Sequence, residues 1–272
     1  LPALILACLA LIFIAWLMGE PYLRERKRQK IRARPFPADW RAILQRRVPY
    51  VRAMPVDLQL QLKQHIQVFL AEKAFIGCGG QQITDEVRVT VAAQACLLLL
   101  NRPRGYYPQL RQILVYPGGF VVQRGHTDGS GVFHEGHQAL SGESWSEGQV
   151  ILSWQDARDG AANPNDGQNV VIHEFAHQLD QETGHANGAP ALARRDHYAR
   201  WAQVLGAEFS ALQGRAAHAQ TSLLSDYGAT DPAEFFAVAS EVFFEQPQRM
   251  AAEHPGLYRE LSQLYHLDPL SW

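Results

Sequence analysis

The chain has 272 residues, 47% of them hydrophobic and 19% charged, so it can bury a sizeable core and is not disordered throughout. Against 27 Asp and Glu stand 25 Lys and Arg, a net charge of −2 that gives no global sign of nucleic-acid binding. Three cysteines (Cys8, Cys78 and Cys96) with no C-x-x-C pair exclude a disulfide scaffold and favour a reducing compartment.

Residues 1–18 carry no charge and reach the ~18-residue length of a membrane span. Arg24, Arg26, Lys27, Arg28, Lys30, Arg32 and Arg34 follow, opposed only by Glu25. Basic residues just after a span mark its cytoplasmic side, and Trp16 and Tyr22 suit the interface. A secretory signal peptide would have a shorter apolar stretch after its basic residues and an A-x-A-like site beyond it, and neither is visible. The expectation is a single-pass transmembrane anchor over 1–19 in the inner membrane, a basic juxtamembrane linker over 20–40 that contacts anionic headgroups, and a cytoplasm-facing domain over 41–272.

Pro35-Phe36-Pro37 breaks the basic segment. From 56 to 72, Leu58, Leu62, Ile66, Phe69 and Leu70 recur at helical spacing, and Gly77, Gly79 and Gly80 stop the pattern. Thr84-Asp85-Glu86 opens a second helix that runs to Leu100 and is apolar nearly all round, which predicts a buried central helix with Cys96 as packing. Gln112–Tyr116 and Phe120–Gln123 read as strands of a hairpin turned at Pro117-Gly118-Gly119. A Gly- and His-rich loop is expected over 125–149, a third strand at Val150–Trp154, and helices from about 168 to 265. The pattern predicts one helix-rich α+β domain with a small sheet.

Asn169–Asp180 contains H-E-x-x-H as His173, Glu174 and His177. On a helix the two histidines lie one turn apart on one face, close enough for both to hold one zinc. Glu174 projects beside the metal, where it can move a proton between water and a leaving amine. Ile172, Phe175, Ala176 and Leu179 fall on the opposite side, towards a core. A catalytic zinc takes a third protein ligand and keeps its fourth position for water. The continuation H-x-x-G-x-x-H is absent, since Asp180 and Thr183 stand at its later places.

A second helix over Asp231–Glu245 offers that ligand: Glu234, Glu241 and Glu245 fall within about 40° on its wheel. Glu234 has two readings, the zinc ligand or the closing Glu of a capping box on Asp231. Glu241 or Asp180 would hold a histidine N–H. His185 is a weaker third-ligand candidate. His134 and His137 could carry a second metal, although their Gly-rich setting favours loop histidines.

The segments PFP-x-x-W at 35–40, FLAEKAFIGCGG at 69–80, QACLLLL at 94–100, NVVIHEFAHQLD at 169–180, NGAP at 187–190, YGATDPAEFFAVASEVFFEQP at 227–247 and HPGLY at 254–258 occur in order. Through them the chain resembles the Mlc titration factor A family of zinc metallopeptidases. The resemblance implies a zincin-like domain of the gluzincin type with one zinc on His173, His177 and Glu234, and Glu174 as general base. It adds Tyr227, seven residues before Glu234, as an oxyanion hydrogen-bond donor. It also implies hydrolysis of amino-terminal residues from short peptides and binding of the repressor Mlc.

The function expected is that of a membrane-anchored, cytoplasmic zinc peptidase with peptides as substrates, aligned along Val150–Trp154, and no direct nucleic-acid partner. The alternative is a metal-bearing binding protein that sequesters a transcriptional repressor, with hydrolysis absent or incidental.

Overall fold

The computed structural model describes residues 19–102, 105–127, 133–140, 142–145, 148–192 and 194–272, with backbone alone over 120–147. Helix α1 (19–32) precedes α2 (Ala38–Arg47), α3 (Val56–Glu72), strand β1 (Ala74–Gly77) and α4 (Asp85–Leu97). Strands β2 (Gln112–Tyr116), β3 (Phe120–Thr127), β4 (Phe133–Leu140), β5 (Gly142–Trp145) and β6 (Gln149–Ser153) follow. The rest is helical: α5 (Trp154–Ala162), α6 (Val170–Asp180), α7 (Arg195–Ala217), α8 (Pro232–Glu245), α9 (Pro247–Glu253) and α10 (Pro255–Tyr265).

Helix α4 is the hub. Thr84 caps it by accepting the Val87 N–H, and Val87 and every residue from Val89 to Leu97 are buried. Helices α2, α3, α5 and α6 pack on it. Each fully buried Val or Leu in such a place contributes roughly 1.5–3 kcal/mol over an exposed one. Cys96 is fully buried, and desolvation pushes its thiol well above the ordinary range, so it is a packing residue.

The main sheet has the order β1-β2-β6-β5. Strands β1, β2 and β6 are parallel, with Phe75 paired to Ile113 and Ile113 to Val150; β5 closes the sheet antiparallel to β6. This corrects the hairpin expected at Pro117-Gly118-Gly119. Strand β2 pairs with strands distant in sequence, and β3 pairs antiparallel with β4 in a separate two-stranded sheet. His134 and His137 therefore stand in strand β4 rather than in a loop, and the second metal considered there rests on side chains outside those described. The Val150–Trp154 segment is corrected too: β6 is an interior strand with Val150, Ile151 and Leu152 buried, and Trp154 begins α5.

The basic segment is engaged by the domain. Ile31 is buried, and Arg28 donates to both oxygens of Glu72 at 2.7 and 2.8 Å. The expected membrane location is withdrawn: among the described residues no helix is long and apolar enough to cross a membrane. Of the expected transmembrane segment, 1–19, residues 1–18 lie outside those residues.

Candidate metal centre

Helix α6 is built to present one polar face. The Asn169 side chain caps it by accepting the Ile172 N–H at 3.0 Å, supplying a partner for an otherwise orphaned first-turn donor. Val171, Ile172, Phe175, Ala176 and Leu179 are buried, with the Phe175 ring 4.8 Å from that of Tyr107 and 5.7 Å from that of Phe69. Packing that face into the core fixes the rotation of the helix and leaves His173 and His177 on the other side, their ring centres 4.9 Å apart.

Helix α8 supplies the facing wall. Asp231 caps it, accepting from the Ala233 and Glu234 N–H groups at 2.8 and 3.0 Å, and Pro232 occupies the first turn where no donor is missed. The Glu234 side chain reaches across instead of closing a capping box. Its Oε2 lies 2.9 Å from His173 Nε2 and 3.4 Å from His177 Nε2, and the two Nε2 atoms are 3.2 Å apart. Burial acts to raise the Glu234 pKa, yet its hydrogen bonds to the histidines hold it well below the usual carboxylate range. Burial likewise opposes a charged His173, but hydrogen bonds to Glu234 and Glu241 outweigh it and raise its pKa.

The remaining glutamates of α8 also face α6. Glu241 Oε1 accepts from His173 Nδ1 at 2.8 Å, and its Oε2 accepts the Asn169 N–H. Glu245 accepts the Gly167 N–H at 3.0 Å and the Asn169 amide at 2.9 Å. The acidic strip on the wheel is therefore a buried seam against the start of α6, not a solvated surface.

These contacts suit a divalent cation. With metal–ligand bonds of ~2.0–2.2 Å, tetrahedral ligands stand roughly 3.3 Å apart. The three observed separations lie close to that value, and the three ligand atoms are drawn from two imidazoles and one carboxylate. With a metal bound, Glu241 would keep the proton of His173 on Nδ1 and leave the Nε2 lone pair for the cation.

The other candidates separate clearly. Glu174 is 4% exposed and adjoins the cluster on α6. Asp180 takes another partner: its Oδ2 accepts the Gly188 N–H at 2.7 Å and so anchors the 187–190 loop. His185 is exposed and outside the cluster, which among the described residues comprises His173, His177 and Glu234. Tyr227 stands in a short turn (Asp226–Ala229) with its ring centre 5.9 Å from that of His173 and 46% of the residue exposed. No periodicity marks that tyrosine; only its fixed distance from Glu234 in the family pattern does. The partnership of Glu245 with Asn169 was not foreseen, although the shared wheel position of Glu234, Glu241 and Glu245 is the signal for it.

The family model of glucose-regulated metallo-peptidase M90 matches residues 23–266. The chain belongs to that family. It is 33% identical over 235 residues to Mlc titration factor A of Pectobacterium atrosepticum, covering 85% of this chain and 87% of that protein. The Yersinia enterocolitica Mlc titration factor A is 32% identical over 237 residues, 86% of this chain and 87% of that one. An uncharacterised Synechocystis protein, slr2042, is 40% identical over 271 residues, 99% of this chain and 98% of its own length. The family implies a metallopeptidase and hence a divalent metal, and the His173, His177 and Glu234 donor set fits one.

Proposed function

We propose that this chain is a zinc-dependent peptidase of the gluzincin type that removes amino-terminal residues from short peptides. The observation that carries the reading is the convergence of His173, His177 and Glu234 beside a buried Glu174. A purely structural site has no use for that glutamate and is commonly closed by a fourth protein ligand.

His173, His177 and Glu234 would hold the zinc, which supplies Lewis acidity that polarises a peptide carbonyl and lowers the pKa of water to about 7. Glu174 accepts the proton of the attacking water and then delivers it to the departing amine. The Tyr227 hydroxyl donates a hydrogen bond to the carbonyl oxygen as negative charge develops there. Glu241 keeps the His173 ring in one tautomer throughout.

Strand β5 is the element for substrate alignment. It is the outer strand of its sheet, antiparallel to β6, and it packs against α6. An extended peptide adding to that edge would lie beside the histidines.

A regulatory partnership stands as the second reading, supported by the name that the relatives carry, Mlc titration factor A. Sequestration of a transcriptional repressor by this chain would be tested by pull-down with wild-type and Glu174→Gln protein.

The peptidase reading is tested with paired substrates, one with a free amino terminus and one acetylated. Chelator-sensitive, zinc-restored cleavage of the free form alone is the expected result. Equal cleavage of both would remove the aminopeptidase assignment, and no metal-dependent cleavage of either would remove the peptidase.

A further inference from the structure

On another part of the surface, α1, α3 and the segment after α4 line a half-open cavity of about 240 Å³. Arg28, Arg32, Arg102 and His65 line it with Tyr106 and Glu25. One ordered water occupies ~30 Å³ of liquid volume, so this space exceeds what a single bridging water fills.

Its polar groups are nearly all donors. Arg102 has a side chain only 4% exposed, with one weak tie to Glu182 at 3.4 Å through Nη2. Its Nη1 is buried and has no hydrogen-bond partner among the described residues. Arg32 Nη1 donates to the Tyr106 oxygen at 3.5 Å, and that oxygen lies 2.7 Å from His65 Nδ1. His65 Nε2 is also buried without a partner among those residues. Burial, reinforced by Arg32, lowers the His65 pKa to about 4, so the ring is neutral near pH 7.

Leaving buried donors unsatisfied costs about 1–3 kcal/mol each, more for a charged group. The unpaired Nη1 of Arg102, a residue that lines the cavity, therefore asks for an acceptor-rich occupant. The lining carries three guanidiniums against the single carboxylate of Glu25, which Arg32 engages. Glu72 and Glu182, partners of Arg28 and Arg102, lie outside the lining. Gly105 keeps the space open, because a Cβ there would stand 3.3 Å from Arg28 Nη1.

We propose that this cavity is a binding site for one small phosphate-type oxyanion, either inorganic phosphate or the phosphate of a small monoester. Guanidinium forks match such an anion in geometry. The site does not depend on the peptidase reading.

The test is calorimetric titration of the full chain with inorganic phosphate and, in a separate arm, with glycerol phosphate. Saturable one-to-one binding is expected, weakened about tenfold or more in Arg102→Gln and in Arg32→Gln. Arg32→Gln alters a partly exposed residue and keeps the test valid where Arg102→Gln fails to fold. Tighter binding of glycerol phosphate identifies a monoester ligand, and equal or weaker binding identifies the free ion. No saturable binding of either below about 10 mM, or binding unchanged in folded Arg32→Gln protein, overturns the proposal.

Discussion

His173 Nδ1 lies 2.8 Å from one oxygen of Glu241, and the other oxygen of that carboxylate accepts the backbone N–H of Asn169, the cap of the helix that carries His173. One buried side chain thus fixes both the ring of a metal-facing histidine and the start of its helix. Glu241→Gln sets an amide NH₂ against one of those two donors. The expected result is a loss of zinc affinity of about 10–100-fold, read by competition with a chromogenic chelator. Unchanged affinity would mean that the contact has no part in holding the metal.

A second buried carboxyl gives the protein a pH dependence. Burial pushes Glu245 up to about 8, against its hydrogen bond to Asn169 and assisted by Asp166 and Glu241. The folded chain therefore binds more protons than the unfolded chain between about 4.5 and 8, and this group's stability contribution is lost as pH rises through that window. Urea midpoints of wild type should fall across it. Glu245→Gln should flatten that fall and exceed wild type at pH 9 by on the order of 2 kcal/mol.

Gly188 links the two helices of the site through backbone alone. Its φ is +75°, its N–H is held by Asp180, and a Cβ there would stand 2.3 Å from the carbonyl oxygen of Pro232 in the first turn of α8. Gly188→Ala meets both a disfavoured conformation and a backbone clash. A loss of about 2 kcal/mol or more in unfolding free energy is expected by urea denaturation.

Tyr227 is exposed and close to His173, so its removal should affect turnover more than folding. Tyr227→Phe is expected to lower kcat by about 10²-fold with KM, zinc content and melting temperature near wild type. A change confined to KM would assign the hydroxyl to substrate binding instead.

The elements legible in the sequence are those whose signal is local and periodic. The 56–72 helix follows from Leu58, Leu62, Ile66 and Phe69, and the predicted central helix from its unbroken apolar run, though it ends at Leu97. The H-E-x-x-H spacing and the wheel position of Glu234 bring together side chains from two helices, with Glu234 61 residues beyond His173 in the chain. The sheet was not legible in the same way. Strand β1 is four residues, AFIG, without alternation, and β5 is the equally short GESW. Parallel partners leave no turn signal between them. Pro117-Gly118-Gly119 has hairpin composition, yet pairing of β2 with β1 and β6 decides its environment. Arg28 and Arg32 read as membrane-facing charges because their partners, Glu72 and Tyr106, lie far along the chain.

The measurement that bears most directly on the proposed chemistry compares wild-type and Glu174→Gln protein for bound zinc and for hydrolysis of short peptides with free amino termini. The account predicts one zinc per chain in both forms and hydrolysis by wild type alone, because Glu174 moves the proton and does not hold the metal. Equal hydrolysis by both forms would contradict that role, and zinc in both without hydrolysis in either would favour the binding protein.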